Sequence, residues 1–573
     1  MNRIKTDILI LGSGGAGLFA ALHARKANPE LEVTIAVKGL LGKCGCTRMV
    51  QGGYNVALAA GDSIERHFMD TIEGGKWLPD QDLAWTLVTK AIERVHELEN
   101  ELGCFFDRNP DGSIHQKAFA GQTFDRTVHK GDLTGIEIIN RLAEQAWACG
   151  AKRLEEHRAV ELVRADDGAL AGVLMIDMRT GERVFVQARS VLLGTGGGPT
   201  MYKFHTPSGD KSCDGLAMAL RAGMTLRDME MVQFHPTGLL AGPGTRMTGT
   251  VLEEGLRGAG GYLLDGDKQR FMSKYDSRNE RATRDVVSRS IFAEMRAGRG
   301  TPHGGVYLAM SHLGPKEVAK QFKGMVERCA DCGFDLAGGL VEVVPTAHYM
   351  MGGVEFAADG RTAIEGLFAA GEDTGGVHGA NRLGGNGVAN STVFGAIAGD
   401  AMAAWTAKEG AWREPAAGAL EEAQARAMFP VGRKPGNIEG VREELYRVMW
   451  EDVGILRDAQ GLARAQSSLV ALEAELRGIG VADGDLRYNL TWHDWLNLAS
   501  LISVSRAISA AALARTDSRG AHFREDFPTT GDLEKSEFSR VVLLQEGNAA
   551  RYDVAFKPVQ FTRVRPGQTL ITA

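Results

Sequence analysis

The sequence predicts an α/β fold in which a parallel sheet is interrupted by an inserted domain and followed by a helical domain. Three observations predict it. A short apolar strand at residues 6–11 leads through a glycine-rich turn into the helical run 18–26. Two later apolar runs, 190–198 and 366–372, end in small residues, as returning strands of the same sheet do. From about residue 411 the chain is rich in Ala, Glu, Arg and Leu with helical periodicity.

The turn after the first strand has the glycine spacing of a Rossmann-type dinucleotide-binding loop. It runs from Gly12 to Gly17 in the pattern G-x-G-x-x-G, and a second strand completes a βαβ unit. Gly12 permits the tight turn, Gly14 lets a pyrophosphate approach the backbone, and Gly17 lets helix and strand pack closely. Phosphates bind at the N-terminus of such a helix. Gly15 and Ala16, inside the turn, are therefore expected at the cofactor too.

The residues expected near the ribose favour FAD over NAD. An acidic residue usually ends the second strand and binds a ribose hydroxyl, but Lys38 holds that place here. Glu372, which ends the last apolar run, is placed to bind a ribityl or ribose hydroxyl.

The nucleotide-binding domain is discontinuous, because the last of its expected strands, 366–372, follows the inserted segment. The expected segments are an FAD-binding domain at 1–235 and 347–410, a capping domain at 236–346, a helical domain at 411–515 and a C-terminal segment at 516–573.

Composition excludes several function classes. The chain has 573 residues and a net charge of −7, which gives no electrostatic footprint for nucleic acid. Seven cysteines are too few and too scattered for a disulfide framework. We interpret the C-x-x-C of Cys329 and Cys332 as reduced structural thiols, and we expect no metal site. We see no secretory signal, and no window reaches about 18 uninterrupted apolar residues, so we expect no membrane span and a cytoplasmic location.

Five later motifs each place histidine or arginine beside glycine, proline or a turn. They are FHPTG at His235, EGLRG at Glu254 and Arg257, TRDVVSR at Arg284, HYMMGG from His348, and HGANRLGGN at Arg382. Two histidines and two arginines that converge on a flavin make a cationic pocket, since arginine binds carboxylate bidentately and histidine can donate to it. The natural substrate is a small dicarboxylate. Taken singly, each residue also fits a turn or a surface ion pair.

These motifs, in this order, resemble those of the succinate dehydrogenase/fumarate reductase flavoprotein family, which includes L-aspartate oxidase. The resemblance covers nearly the whole chain and includes QGGYNVAL from Gln51, GDLTG from Gly131 and SRGAHFREDFP from Ser518. It implies a Rossmann-type FAD-binding domain with an inserted capping domain and a C-terminal helical domain. It further implies hydride transfer at flavin N5, with an arginine that shuttles the proton.

The resemblance also implies roles for individual residues. Arg284 is similar to the arginine that delivers the proton, with Glu254 and Arg257 as the relay that restores it. His235, His348 and Arg382 resemble the carboxylate clamps, and Phe119 and Gln122 match the segment that lines and shields the substrate cavity. The residues expected at FAD are Gly12, Gly14, Gly15, Ala16, Gly17, Lys38, Thr47, Gly52, Gly53, Thr195, Gly196, Asp214, Glu372 and Asn386.

Three positions depart from the family pattern. Members that oxidise succinate in respiration carry a histidine, covalently bound to FAD, five residues before Q-G-G; Cys46 stands there, so we expect non-covalent FAD. Cys213 stands where the usual T-G-D-G pattern has its first glycine, and the aspartate of that pattern is kept as Asp214. Glu253 replaces the threonine whose hydroxyl donates to a substrate carboxylate. An ionised glutamate only accepts hydrogen bonds. Three explanations stay open: Glu253 is turned away and pairs with a nearby arginine, the substrate is a substituted dicarboxylate that offers a donor there, or Glu253 is protonated.

The resemblance leaves three functions open. The leading one is a fumarate reductase or succinate dehydrogenase-like enzyme, which interconverts a saturated and an unsaturated small dicarboxylate. The second is an L-aspartate oxidase-like flavoprotein. Gln122 argues against it, because that branch tends to have an acidic residue there for the substrate amine, whereas the carboxylate of Glu253 could meet the ammonium group instead. The third, a flavin-binding module without catalysis, is disfavoured by Arg284 and its relay. Electrons come from an iron–sulfur subunit or from a soluble donor, and such a subunit would make the protein peripheral to the membrane.

Overall fold

A computed structural model describes residues 1–242, 245, 247–481, 484–546 and 549–571. Its strands are β1 (Asn2–Leu11), β2 (Val33–Val37), β3 (Tyr54–Asn55), β4 (Gln116–Lys117), β5 (Thr127–Val128), β6 (Lys152–Glu155), β7 (His157–Arg164), β8 (Leu170–Asp177), β9 (Arg183–Leu193), β10 (Leu226–Arg227), β11 (Val232–Leu239), β12 (Tyr262–Leu264), β13 (Val306–Ala309), β14 (Leu340–Met350), β15 (Gly353–Val354), β16 (Leu367–Ala369), β17 (Glu537–Glu546) and β18 (Ala549–Pro558).

The α-helices are α1 (Gly15–Ala27), α2 (Ile64–Gly74), α3 (Gln81–Asn100), α4 (Thr134–Ala148), α5 (Asp214–Arg221), α6 (Gly255–Gly258), α7 (Arg284–Arg296), α8 (Pro315–Gln321), α9 (Lys323–Asp331), α10 (Asn386–Lys408), α11 (Ala419–Met428), α12 (Ile438–Glu451), α13 (Ala459–Gly478) and α14 (Leu490–Ala514). Short 3-10 turns lie between several of the strands and helices, among them Cys46–Met49 between β2 and β3.

The sheet predicted from the sequence is present, but it is mixed and not wholly parallel, because β8 pairs antiparallel with both β7 and β9. Its order is β6-β2-β1-β9-β8-β7, and β16 pairs with the end of β9. β1 runs parallel to both β2 and β9, with Ile10 opposite Ile35 and Leu192. β16 adds to β9 in parallel, with Leu367 opposite Val191. Both returning runs are therefore strands of the first sheet, as expected, and their carboxyl ends lie at the edge where β1 delivers the glycine-rich turn.

Glycines allow the first turn and its two covering helices to pack closely. Gly12 has φ +108°, and a Cβ there would lie 2.1 Å from the Gly194 carbonyl oxygen. A Cβ on Gly17 would lie 2.0 Å from the Gly12 carbonyl oxygen. On α10, Gly395 and Gly399 meet α1 in the same way, at the backbone of Ala16 and Ala20. The backbone of α1 can thus reach the sheet edge and α10 only because these positions lack side chains.

The inserted region forms a second sheet, ordered β11-β14-β13-β12, with α6 to α9 packed around it. Its core includes Leu256, Val287, Ile291 and Met325, all fully buried. The expected capping domain, 236–346, begins inside β11 and ends inside β14, so its limits do not coincide with the ends of strands. The division into five segments stays a prediction. Cys329 and Cys332 lie at the end of α9, and all seven cysteines are free thiols.

The last 160 or so residues hold more regular structure than the sequence indicates. Residues 411–515, expected to be helical, contain α11, α12 and α13, and also the longest helix, α14, which no periodic run indicates. In the C-terminal segment, the structure has the hairpin of β17 and β18. Among the described helices, α14 is the one long and apolar enough to cross a bilayer. Of its most apolar 18-residue stretch, 61% is buried inside the protein, as in the core helix of a soluble protein. The hairpin joins β10 and β15 in a third sheet.

Candidate active site

One cavity runs from the glycine-rich turn to the inserted sheet and brings most of the predicted residues together. Of the fourteen residues expected at FAD, these twelve line it: Gly12, Gly14, Gly15, Ala16, Lys38, Thr47, Gly52, Gly53, Thr195, Gly196, Asp214 and Glu372. The expected substrate-side residues in its lining are Phe119, His235, Glu253, Glu254, Arg284, His348 and Arg382. The cavity therefore has a glycine-rich end and a cationic end.

The glycine-rich end fits a dinucleotide. α1 begins at Gly15 with no side-chain cap, and the Gly15 amide donates to Thr47 Oγ1 at 3.1 Å. A Cβ on Gly14 would meet only Thr47 Oγ1, at 3.6 Å, so the backbone is open toward the cavity. The positive end of a helix with uncapped amides suits a diphosphate. Gln51 Oε1 in the same lining is buried without a partner, which a cofactor hydrogen bond would satisfy.

Lys38 is held by an ion pair at the end of β2. Its Nζ donates to Asp214 Oδ2 at 2.9 Å and to Ser212 Oγ at 3.1 Å. Arg158 donates to the other oxygen of Asp214 at 2.8 Å. Burial alone would raise the pKa of Asp214, but these two cations hold it well below its usual range. Lys38 and Asp214 thus form part of the cavity wall as an ion pair. Arg158, the second cation on Asp214, also lines the cavity and was not indicated by the sequence.

Glu372 presents a carboxyl group that the backbone holds in place. Its Oε1 accepts from the amides of Met350 at 3.0 Å and Gly198 at 3.4 Å. Burial raises its pKa to about 7. The neighbouring Asp373 accepts from Thr195 and Gly196 at the same turn, and burial raises its pKa to about 6. A buried carboxyl with one oxygen fixed fits the ribityl or ribose hydroxyl that was expected for it.

Cys46 lies in the cavity lining at the start of a 3-10 turn and is partly buried. Burial, with the charge of Glu372 as a second cause, raises the pKa of its thiol to about 12. The thiolate is the nucleophilic form of cysteine. The environment therefore favours the protonated thiol of Cys46 over the nucleophilic thiolate.

Four predicted residues stand behind the cavity and outside its lining. Gly17 packs against Gly12. Asn386, at the start of α10, accepts from Asn55 at 2.9 Å and donates to Thr71, so it fixes the helix end. Gln122 donates to the Gly384 carbonyl at 3.0 Å. The fourth is Arg257. These four residues therefore do not line the cavity: Gly17 packs on backbone, and the side chains of Asn386, Gln122 and Arg257 bond to other residues of the protein.

Two arginines share one buried carboxylate at the cationic end. Arg284, the first residue of α7, donates to Glu254 Oε2 at 2.7 Å and 3.2 Å. Arg257 donates to Glu254 Oε1 at 3.0 Å, and to the Glu280 carbonyl at 2.6 Å. Burial raises the pKa of Glu254, but the two guanidinium groups outweigh it and hold the pKa below its usual range. Gln233 accepts from Arg284 at 3.0 Å.

Two histidines face the same region as neutral donors. The rings of His235 and His348 lie 5.4 Å apart between centroids, edge to face. Burial, with the charge of Arg284 as the next cause, lowers the pKa of both rings well below the usual value. His235 Nδ1 accepts from the Thr237 amide at 3.3 Å, so its proton lies on Nε2. His348 Nδ1 bonds to Thr206 Oγ1 at 2.8 Å.

Arg382 brings the third guanidinium group to the cavity. Its Nη1 donates to the Leu383 carbonyl at 3.3 Å, its Nε is buried with no partner, and its Cζ lies 4.4 Å from the ring centroid of Tyr349. Burial, and then the nearby charge of Arg284, lowers its pKa to about 10. A guanidinium with unused donors in a buried cavity is ready to bind a carboxylate.

Phe119 and Glu253 close the cationic end. The Phe119 ring is packed on Gly52 and Gly384, where added Cβ atoms would lie 2.4 Å and 2.6 Å from it. Glu253 is only 4% exposed and is paired with Lys117. The sequence interpretation offered a Glu253 that faces substrate or one that turns away to an arginine. Glu253 lines the cavity, as the first alternative expects, but it is paired, as the second alternative expects, and its partner is a lysine instead of an arginine.

The sequence interpretation missed Lys117, Thr206, Arg158 and Tyr349, which complete the site. Gln233 was quoted in its motif but given no role. Tyr349 stood inside HYMMGG, so its neighbourhood was a signal that could have found it. Lys117 stands two residues before Phe119, so its segment was also a signal, but its contact with Glu253 joins residues 136 positions apart. Thr206 carries no such signal, because its contact with His348 joins residues 142 positions apart.

Comparison with known proteins agrees with this site. Residues 7–388 match the family described as FAD binding domain, and residues 442–570 match the fumarate reductase flavoprotein C-terminal family. The chain is 40% identical to a fumarate reductase (CoM/CoB) subunit of Methanothermobacter marburgensis, over 94% of this chain and 97% of that protein. It is 34% identical to the 8-methylmenaquinol:fumarate reductase flavoprotein subunit of Wolinella succinogenes, over 94% and 89%.

A solved structure gives the same result for the fold. The chain superimposes on a variant of E. coli quinol fumarate reductase FrdA with a TM-score of 0.92 and 32% identity, and the match covers 99% of each chain. The expected fold is therefore confirmed, and so is FAD as the cofactor. The chain belongs to the succinate dehydrogenase/fumarate reductase flavoprotein family and is an FAD-dependent oxidoreductase.

Proposed function

We propose that this protein interconverts a saturated and an unsaturated small dicarboxylate, in the manner of fumarate reductase, and so acts on a CH–CH bond. One observation carries the proposal: Arg284, Arg382, His235 and His348 converge on one end of the FAD cavity. Three guanidinium groups and the carboxylate of Glu254 give this end a net charge of +2. That charge matches a dianion, and the forked donors match carboxylate geometry.

The histidines and Arg382 are proposed to clamp the substrate carboxylates. Because both rings are neutral, they add no further charge, and the Nε2–H of His235 is free to donate to a carboxylate. Arg382 retains donors that no described residue uses, and Tyr349 supports its guanidinium from one face. Fixed donors at both carboxylates hold the substrate in one orientation, which is worth several orders of magnitude in rate. Phe119 covers this end and excludes water.

Arg284 is proposed to donate the proton to the substrate carbon. An arginine is a poor acid because its pKa exceeds about 12 in water. Here its guanidinium shares Glu254 with Arg257, so a carboxylate stands ready to return a proton as soon as one leaves. Burial lowers the pKa of Arg257 from its usual value, which eases transfer along the same line. Arg284, Glu254 and Arg257 thus form a proton relay.

FAD, when bound, supplies the two-electron chemistry at the substrate carbon. Gly12, Gly14, Gly15 and Thr47 would hold its diphosphate, and Glu372 a hydroxyl of its ribityl or ribose. We propose that the attachment is non-covalent. The support is the thiol of Cys46, which stands where some family members have the linking histidine and whose pKa is about 12.

We propose that the electron-transfer partner is an iron–sulfur subunit. The chain itself has no cysteine cluster for such a centre; the described residues hold no group of three or more possible metal ligands. Large apolar side chains are exposed around α4 and the 3-10 turn beside the cavity: Leu40 is 50% exposed, Met49 48%, Leu133 51% and Phe105 67%. Such a patch suits a protein partner. Docking there would place the protein peripherally, on the cytoplasmic side of a membrane.

Anaerobic reoxidation of the reduced flavin tests the proposal. Fumarate, substituted unsaturated dicarboxylates and iminosuccinate-type products of aspartate oxidation are added in turn, and flavin absorbance is followed. We expect rapid reoxidation by an unsaturated dicarboxylate. Reduction of the oxidised flavin by L-aspartate would support the aspartate oxidase alternative, and a flavin that no unsaturated dicarboxylate reoxidises would overturn the proposed function. The ion pair between Lys117 and Glu253 disfavours the aspartate oxidase alternative, because Lys117 already binds the carboxylate that would bind the substrate ammonium group.

A further inference from the structure

Lys117 and Glu253 form an ion pair across the wall of the cationic end. Lys117 Nζ donates to Glu253 Oε1 and also to the Gly131 carbonyl at 3.2 Å. The two side chains are 19% and 4% exposed. Glu253 belongs to the cavity lining, whereas Lys117 stands behind it at the end of β4. The pair therefore joins the inserted region, which carries Glu253, to the segment that leads into Phe119.

The charge of this pair matters because the pocket must attract a dianion. With Lys117 present, the pair is neutral and the net charge of +2 is kept. Without Lys117, an ionised Glu253 would leave +1 and would stand beside the nearest substrate carboxylate. Like charges opposed in a buried site weaken binding severely, by at least about tenfold. A glutamate is tolerable in this wall only with its own cation.

We propose that Lys117 is a specificity-determining positioning residue, which neutralises Glu253 and holds its carboxylate against the wall so that the pocket selects dianionic over monoanionic substrates. This inference rests on the proposed dicarboxylate function. Lys117 does not contact the substrate, since it lies outside the lining, and it acts through Glu253. It is therefore distinct from the clamps His235, His348 and Arg382.

The proposal has a pH signature. The charged groups that face Glu253 are Lys117, Asp132 and Glu254. Burial raises the pKa of Glu253, and Lys117 opposes that rise. Without Lys117 the pKa rises further, so at low pH Glu253 is protonated and the pocket regains its charge. At high pH it ionises, and the repulsion appears. The defect of a Lys117 variant should therefore grow with pH.

A double-mutant cycle in the FAD-bound enzyme tests it, with fumarate as the substrate and a reduced viologen dye as the electron donor. Lys117→Met should raise KM at least about tenfold at high pH, with a smaller change in kcat. Monomethyl fumarate, a monoanion, should be affected less. Lys117→Met combined with Glu253→Gln should restore KM to within about threefold, because no unpaired charge remains. Lys90→Met, which removes an exposed lysine from an ion pair on α3, is the control and should behave as wild type.

The outcomes separate the inference from the function on which it rests. If Lys117→Met and the double variant lose affinity equally, or if neither does, Lys117 does not act through the charge of Glu253 and the inference is wrong. If Lys117→Met does not fold, Lys117→Arg and the double variant still test the inference. Both should keep a KM for fumarate near that of wild type, and a raised KM in either variant overturns the inference. Wild-type enzyme that reduces no unsaturated dicarboxylate overturns the proposed function, and the inference with it.

Discussion

Removal of the Arg284 guanidinium is expected to stop turnover while FAD stays bound. Arg284 is 7% exposed and makes three hydrogen bonds, two to Glu254 and one to Gln233. None of these partners belongs to the glycine-rich end, so Arg284→Ala should leave the FAD content unchanged. Loss of a positioned proton donor is alone worth about 10²–10⁴-fold in rate. Arg284→Lys should be nearly as poor, because one ammonium cannot replace the planar fork.

The variant also has a predictable cost in stability. Breaking a buried ion pair typically costs about 3–5 kcal/mol because a charge is left uncompensated. Glu254 keeps Arg257 as a partner at 3.0 Å, so the loss here should fall below that range. Arg296→Ala is the matched control: it lies on the same helix and breaks only an exposed pair with Glu525, worth about 0–1 kcal/mol.

The assay is dye-linked fumarate reduction together with flavin absorbance and urea unfolding. Arg296→Ala should match wild type in all three. Arg284→Ala should keep its flavin spectrum and lose activity by several orders of magnitude. Arg284 is not the proton donor if Arg284→Ala retains more than about a tenth of the wild-type rate, a loss of only about 1.4 kcal/mol. Another acid would then have to be sought.

Three further predictions follow from other parts of the cavity. Acid precipitation should release yellow flavin into the supernatant, because the thiol at Cys46 is un-ionised; flavin retained on the denatured chain would contradict this. Arg382→Ala should raise KM and lower kcat together, since its contacts both hold and orient the substrate, and unchanged kinetics would place it outside the pocket. Glu372 has a folded pKa of about 7, above the usual 4.5, so its stabilising contribution is complete below about pH 4.5 and is lost as pH rises through 7. The unfolding free energy of Glu372→Gln apoprotein should therefore fall less than that of wild type over this range, and parallel curves from denaturant titrations would refute the assignment.

The βαβ opening was predictable because its cause is local. Residues 6–11 and 33–37 are apolar runs separated by a glycine pattern, and the structure confirms the strands. The returning strands were predictable for the same reason. α14 was missed because it is buried almost all round, with Trp492, Leu498 and Ile508 on different faces, so it shows no amphipathic period. The apolar sequence of α14 therefore does not indicate which elements pack against it.

The candidate site was predictable where a motif carries the side chain and its backbone setting together. His235 and Arg284 stand in such motifs, and both line the cavity. Gln122 did not behave in the same way: its segment approaches the cavity, but the amide donates to the Gly384 carbonyl and the ring of Phe119 covers the space instead. A motif places a segment, whereas the packing of that segment decides which of its side chains faces the ligand.

Glu253 shows the limit most clearly. In the sequence it is an acceptor where a donor is expected, and electrostatics then allowed a different substrate, a protonated Glu253, or a side chain that turns away and pairs with an arginine. None of these explanations included a Glu253 that lines the pocket and is neutralised there by a cation. Lys117 supplies that cation from a segment 136 residues earlier. The electrostatic energy of a side chain depends on every charge within a few ångströms, and a sequence gives those distances only along the chain. Plain fumarate thus remains compatible with this pocket, and the Lys117 cycle becomes the measurement that decides what the glutamate does.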